Sequence, residues 1–562
     1  MIRLFETNEI RETRELEGLW DFAVIDQASN EKSNYKYRLP VPGCWEMHPE
    51  LLTYRGRGMY RRTIVTQKQT ALRFVFKGVS HSAKVFFDNV EIGVHYNAYT
   101  AFSVLAEKVE PGDHELRIEV DNSFHEDSSL HVPNDYYTYG GLIRPVVMEE
   151  IGEAWLDHIR CTPFRENDMW GAEISVTVHS LHSSSPQVSL RGELAGRVIE
   201  LGAGNVRQDE PLVLTTRHMF PEAESWSEDS PRLYQLKTWL HLDHKPEAVD
   251  DLIERVGFRV VTTTDGKIQV NGSNVVLKGF NRHEDHPMAG SALPLQLMLK
   301  DLELMQDMGA NCVRTSHYPN DERFLDLCDE LGMLVWEENH ARGLSLDQMR
   351  HPRFIEQCEA VNREMVVQHG NHPSIVTWGI LNECSSDTEE GRVHYKRQLE
   401  QIRELDSSRP LTFASDKRTR ELCFDLADIV SFNLYPQWYT EEDPGELIDG
   451  LREWAKTAGG DGKPIIMSEF GGDGFYGYRS PSRVKGTEER QADIIERNLS
   501  AYTSRDYISG MLIWQFCDCR VTEEGPWPMW RAMTKNSKGI VDEYRRPKLA
   551  YSVVQHYFKG GR

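Results

Sequence analysis

No stretch of this 562-residue sequence approaches the ~18 consecutive apolar residues that a bilayer-spanning helix needs, so no membrane contact is expected. The first residues, Met1-Ile-Arg-Leu-Phe-Glu-Thr-Asn-Glu, also lack the apolar core of a secretory leader, and the expectation is a cytoplasmic protein. Cysteine is scarce. Nine residues, an odd number, are spread from Cys44 to Cys519 and fit reduced thiols better than a disulfide framework. Cys517-Asp-Cys519 has neither redox spacing nor a second cysteine pair to complete a zinc site, which leaves packing as its role. Positive charge is in deficit, 64 Lys and Arg against 88 Asp and Glu, and a net charge of -24 repels the phosphates of nucleic acid. Repeats and low-complexity tracts are missing as well.

What is present is an ordinary globular composition, 39% hydrophobic and 27% charged, on a chain long enough for about three domains. Residues 1–152 show short alternating runs between turn residues, such as Leu72-Arg-Phe-Val-Phe and His114-Glu-Leu-Arg-Ile-Glu-Val, the pattern of an antiparallel β-sandwich. A second series over 153–258, including Ala172-Glu-Ile-Ser-Val-Thr-Val, points to a smaller sandwich with a turn at 183–186. From 259 to 562 the period changes. Eight strand-like runs, at 275–280, 312–316, 334–337, 375–382, 411–415, 429–434, 464–468 and 510–516, alternate with helical spacings such as Met298, Leu302, Met305 and Phe354, Cys358, Val361, Met365. Eight strands with alternating helices is the count of a (β/α)₈ TIM barrel.

Two of these strands organise the rest, because Val376-Thr-Trp-Gly-Ile-Leu-Asn382-Glu383 and Pro464-Ile-Ile-Met-Ser-Glu469 are apolar runs that stop at a carboxylate. In a barrel, polar residues at the strand ends converge. The others are Asn281-Arg282-His283-Glu284, His317-Tyr318, Asn433 with Tyr435, and Trp514. Two carboxyls among aromatic rings suit glycoside chemistry: one acid protonates the glycosidic oxygen, one carboxylate attacks or stabilises the oxocarbenium-like carbon, and flat rings pack on sugar faces. Read alone, one strand-end Glu is as well explained as a structural hydrogen-bond partner, and His283 and His317 as satisfied core histidines. No His-x-x-x-His spacing or carboxylate cluster accompanies those histidines, so no metal is expected.

The segments Asn281-Arg-His-Glu-Asp, Arg314-Thr-Ser-His-Tyr-Pro319, His372-Pro-Ser-Ile-Val-Thr-Trp-Gly-Ile-Leu-Asn-Glu383 and Ser468-Glu-Phe-Gly471 make the chain resemble, nearly end to end, a family-two glycoside hydrolase. The resemblance implies a jelly-roll-like sugar-binding-type sandwich, an immunoglobulin-like sandwich and a catalytic TIM barrel. It also implies a retaining reaction without cofactor, with Glu383 after Asn382 as acid/base and Glu469 as nucleophile. Within the family the chain is most similar to β-glucuronidases. Its Thr534-Lys-Asn536-Ser-Lys538-Gly matches their Asn-x-Lys reader of the sugar carboxylate, and an amide with an ammonium two residues on can reach one anion.

Further positions follow from the same resemblance. Tyr435 matches the residue that supports the nucleophile, Trp438 and Tyr439 match aromatics near the uronic acid, and Asp135 matches an acid of the first sandwich that binds a sugar hydroxyl. His317 and Trp514 match pocket residues. Only a short segment, His340 to Met349, follows the third strand, which implies an open pocket. Arg342 within it, and Arg531, are extra cations able to meet a carboxylate or a C4 hydroxyl, though either reads equally as a surface arginine. The implied activity is exo-β-glucuronidase. β-Galacturonidase or dual specificity is the alternative, β-galactosidase and an inactive glycan-binding protein are more remote, and a homo-oligomer is implied.

Overall fold

The computed structural model describes residues 2–25, 34–181, 185–208 and 210–561, so the first two residues of the turn expected at 183–186 lie outside the described residues. Alternating strands such as Gly112–Asp121, with Leu116, Ile118 and Val120 buried and their neighbours less so, have one face for a core and one for water. They assemble accordingly. A six-stranded antiparallel sheet with Arg57–Thr66 and Gly112–Asp121 at its centre covers a four-stranded sheet built on Thr70–Phe76 and Val146–Ile151. Trp20, Phe22, Phe74 and Ile118 fill the space between them. A second sandwich sets Ala154–Glu166, Met169–Ser180 and Leu212–Phe220 over four strands that include Gln187–Leu194 and Tyr234–Leu242. Ile174, Val176, Leu190 and Leu236 form its core.

The barrel strands are β1 (Leu277–Asn281), β2 (Cys312–Arg314), β3 (Leu334–Glu338), β4 (Ile375–Gly379), β5 in two short pieces (Leu411–Thr412 and Ala414–Ser415), β6 (Val430–Asn433), β7 (Ile465–Glu469) and β8 (Ile508–Ile513). Every pairing among them is parallel, and β8 returns to β1 with Leu277 opposite Gly510, so the sheet closes with β5 joining its two flanks through β4 and β6. The strands are apolar runs because both faces are covered, one by the barrel interior and one by helices such as Leu295–Asp307 and Phe354–His369. At Gly279 any side chain would strike the Cys312 carbonyl, 1.7 Å from an added Cβ, so the close approach of β1 to β2 requires glycine.

The expected strand positions are met within a few residues, with one informative difference. The fourth strand, expected to run to Asn382, stops at Gly379, because Leu381 and Glu383 take φ of 45° and 53°, outside strand geometry. All nine cysteines are buried and free, which agrees with thiols used for packing.

The first sandwich reaches into the barrel mouth. Arg144 Nη2 donates to Glu284 Oε2 at 2.9 Å and to the Pro319 carbonyl at 2.7 Å, Tyr139 donates to Asp285 at 3.2 Å, and the Tyr99 and Tyr318 rings stack at 4.1 Å. These bonds hold the loop that carries Asp135.

Candidate active site

Arg314 closes β2 with its guanidinium fully buried over the Trp336 ring, 4.7 Å from the centroid. All five of its N–H groups are used. Nε and Nη2 fork onto the Glu338 carboxylate, each at 2.9 Å. Nη1 donates to Asn281 Oδ1 and to Glu469 Oε1, both at 2.9 Å, and Nη2 also reaches Asn382 Oδ1 at 2.8 Å. A rigid planar fork with its donors spent in fixed directions ties together the ends of β1, β3, β4 and β7. It thereby sets where Glu469 and Asn382 stand.

Glu469 accepts a second bond from the Tyr435 hydroxyl at 2.6 Å. The carboxyl of Glu383, placed by a left-handed φ of 53°, accepts among the described residues only from Asn433 Nδ2 at 2.8 Å, and that amide is itself fixed by Ser468, whose hydroxyl donates to Asn433 Oδ1 at 2.7 Å. The two carboxyls are therefore unequal. Burial, then the charges of Glu469 and Asp416, push Glu383 up to about 7. Burial pushes Glu469 up too, but the Arg314 guanidinium and the Tyr435 hydroxyl oppose it. One proton shared by such a pair rests on Glu383 and the negative charge on Glu469.

Lys538 marks another part of the same cavity. Its side chain is 1% exposed, and its ammonium has no hydrogen-bond partner among the described residues and lies 5.9, 5.6 and 5.5 Å from the Tyr435, Trp438 and Tyr439 rings. Asp473 stands 3.7 Å away, close enough for an ion pair and too far for a hydrogen bond. Burying an ammonium without satisfying its hydrogen bonds costs several kcal/mol, far more than ring faces return at ~1–2 kcal/mol, so the arrangement suits an arriving anion.

The sandwich loop supplies Asp135, and the site is incomplete without it. Arg531 grips both of its oxygens, Nε to Oδ1 at 2.8 Å and Nη2 to Oδ2, while Asn536 Nδ2 donates to Oδ2 at 3.1 Å. Around these groups lies a cavity of about 530 Å³, lined by both carboxyls, Asp135, Arg342, Tyr435, Tyr439, Trp514, Arg531 and Lys538.

Five expected site residues, Asn382, Asn536, His283, His317 and Trp438, are not part of the wall of that cavity. Asn536 is fully buried, gives one amide N–H to Asp135 at 3.1 Å and accepts from the Lys538 backbone N–H at 3.3 Å, so it ties that acid to the turn that carries Lys538. His283 lies behind the wall, its ring 4.7 Å from Tyr136 and edge-on to Trp514, as a core histidine. His317 gives Nδ1–H to Glu338 at 2.7 Å and stacks under Trp514 at 5.0 Å; burial holds it neutral, and its Nε2 is 4.0 Å from Glu469. Trp438 belongs to the cage of Lys538 and not to the cavity wall. Asn382 Oδ1 is held by Arg314 Nη2 at 2.8 Å and Asn433 Nδ2 at 3.1 Å, and its Nδ2 is buried without a hydrogen-bond partner among the described residues. The pocket is also less open than the short segment after β3 implies, because Trp527 and Trp530, from beyond β8, supply wall.

Sequence reasoning missed Glu338, Arg314 as the hub, and both tryptophans. For Glu338 the signal was the pair Glu337-Glu338 itself: in a strand the two point oppositely, Glu337 to His369 in the helix layer and Glu338 inward to Arg314.

The model of glycosyl hydrolases family 2, TIM barrel domain, matches residues 261–560. The solved GH2 β-galacturonidase from Eisenbergiella tayi bound to galacturonate is 46% identical, covers 100% of this chain with 99% of its own, and superposes with a TM-score of 0.95. The β-glucuronidase of Sus scrofa is 27% identical over 98% of this chain and 91% of its own, and that of Paenibacillus borealis 26% over 97% and 96%. With the barrel matched along its whole length and a carboxyl pair at its mouth, the chain belongs to glycosyl hydrolase family 2 and is a glycoside hydrolase.

Proposed function

We propose that this chain is a retaining exo-β-uronidase that cleaves β-D-galacturonides in preference to β-D-glucuronides. The observation that carries the uronide is Lys538, an ammonium buried in an aromatic cage with no hydrogen-bond partner among the described residues. A sugar carboxylate at C6 gives it a charge-assisted hydrogen bond, whereas the hydroxymethyl group of a neutral hexose offers only a neutral acceptor, about half as strong. Glu383, protonated near neutrality, donates to the glycosidic oxygen while ionised Glu469 attacks the anomeric carbon. Water, deprotonated by the same Glu383, then releases the sugar from Glu469.

The resemblance to β-glucuronidases puts glucuronides first, and the order is reversed here for two reasons. The full-length likeness at 46% identity is to a galacturonidase. In addition, Arg531 occupies both oxygens of Asp135, so this acid meets a ring hydroxyl only as half of an ion pair whose guanidinium also donates.

The test is kcat/KM on para-nitrophenyl β-D-galacturonide, β-D-glucuronide and β-D-galactoside, with the first product anomer followed by proton NMR. Expected are galacturonide ahead of glucuronide, both ahead of galactoside by roughly 100-fold or more, and a β-anomer first product. An α-anomer contradicts Glu469 as nucleophile. Equal rates on galactoside and uronide contradict the role of Lys538.

A further inference from the structure

Protonation by Glu383 places the leaving group on that residue's side of the cavity, apart from the cage around Lys538. Arg342 marks this side, since its backbone bridges to Asn382, next to Glu383, and its guanidinium lies 5.7 Å above the Trp527 ring. Trp527 and Trp530 line the same cavity as Glu383. Their rings meet at 88° with centroids 5.5 Å apart, forming a corner of two apolar faces. The same short stretch leaves Met529 88%, Trp530 68% and Met533 69% exposed. That concentration of large apolar side chains at a cavity rim, on a chain with 27% charged residues, marks a contact surface.

We propose that residues 527–533 form the leaving-group platform of this enzyme and select uronides whose aglycone presents a flat apolar face, such as an aryl ring. The proposal rests on the uronidase reading above. The platform is built to hold its shape: Met529 N and Trp530 N both donate to the Pro526 carbonyl, at 3.1 and 3.2 Å, and Arg531 N to that of Trp527 at 2.8 Å. Arg531 then turns inward onto Asp135, and left-handed φ values of 58° at Met533 and 52° at Thr534 turn the chain back toward Asn536 and Lys538. One segment thus carries an apolar face for the aglycone and, a few residues on, the cation for the sugar. Methionines beside the tryptophans give a polarizable surface that adapts to rings of different outline.

The experiment compares kcat/KM on methyl and 4-methylumbelliferyl β-D-galacturonide for wild type, Trp530→Ala, Trp527→Ala and Trp530→Phe. Leaving-group acidity is common to all four proteins, so the aryl-to-methyl ratio, normalised to wild type, reports contact with the aglycone. The ratio is expected to fall roughly three- to tenfold in both alanine variants, the size of lost ring stacking, and to recover in Trp530→Phe. An unmoved ratio in an active enzyme overturns the platform alone. No hydrolysis of either uronide by wild type overturns the uronidase reading and the platform with it. Light scattering completes the test: an oligomer that dissociates in Trp530→Ala assigns this rim to a subunit interface and sinks the proposal.

Discussion

Glu383 and Glu469 are the same amino acid at the mouth of one barrel, and their partners set them apart. Glu469 has a guanidinium and a phenol; Glu383 has one amide, and burial together with its acidic neighbours holds its proton up to about 7. As a general acid Glu383 must be protonated, so kcat/KM is expected to fall as pH rises through about 7, and on the acid side to fall as the nucleophile Glu469, itself raised by burial, takes up a proton. Glu383→Gln should abolish that alkaline limb and lower kcat about 10²–10⁴-fold on an alkyl glycoside, read from pH–rate profiles of the two proteins. A limb that persists in the variant belongs to another group. The pair was legible in the sequence because each apolar run ends in its acid. Arg314 was not, since an arginine at a strand end looks alike whether it meets solvent or, as here, spends five donors inside the protein.

At the scale of elements, strand positions came from apolar runs and turn residues, which burial on both faces imposes. The ends were blurred where backbone geometry changes without a compositional signal, as at Leu381 and Glu383. Loops were harder still. Trp527-Pro-Met-Trp530 has neither strand nor helix periodicity, and nothing local says that it returns over the mouth of the barrel. Asp135 depends on such a loop, with Arg531 as the clasp between sandwich and barrel. Arg531→Gln, which keeps a donor but removes the fork, is expected to raise KM for the uronide tenfold or more with a smaller change in kcat, because it loosens a binding group and leaves the carboxyl pair intact. A pure kcat effect would mean that Asp135 acts on the transition state.

For the whole molecule, the division into two sandwiches and a barrel could be read from the change in period, whereas the chemistry of the joint could not. His81, His131 and His340 meet where sandwich and barrel pack, the first two stacked at 4.2 Å and His340 edge-on to His81 at 5.6 Å. Burial pushes His131 and His340 down to about 3 and His81 well below its usual value. A histidine whose pKa is lowered on folding stabilises the protein above its unfolded value near 6.5, and this stabilisation is lost as pH falls from there toward the folded value. Each contributes on the order of 1 kcal/mol less at pH 5.5 than at neutrality. His340, whose ring nitrogens have no hydrogen-bond partner among the described residues, offers the clean test. His340→Gln should flatten the fall in Tm between pH 6.5 and 4.5, and an unchanged slope would place the acid sensitivity in other groups.

Lys538, buried beside Asp473 at 3.7 Å and with no hydrogen-bond partner among the described residues, is proposed to select the carboxylate at C6, and the most direct measurement keeps every other feature of the sugar constant. Galacturonide and galactoside share the axial C4 hydroxyl and differ at C6 alone, so the ratio of their kcat/KM values in wild type and Lys538→Ala isolates this residue. The account predicts a wild-type ratio of roughly 100 or more that collapses toward unity in the variant, chiefly by loss of the uronide. A ratio that survives the loss of Lys538 would contradict it.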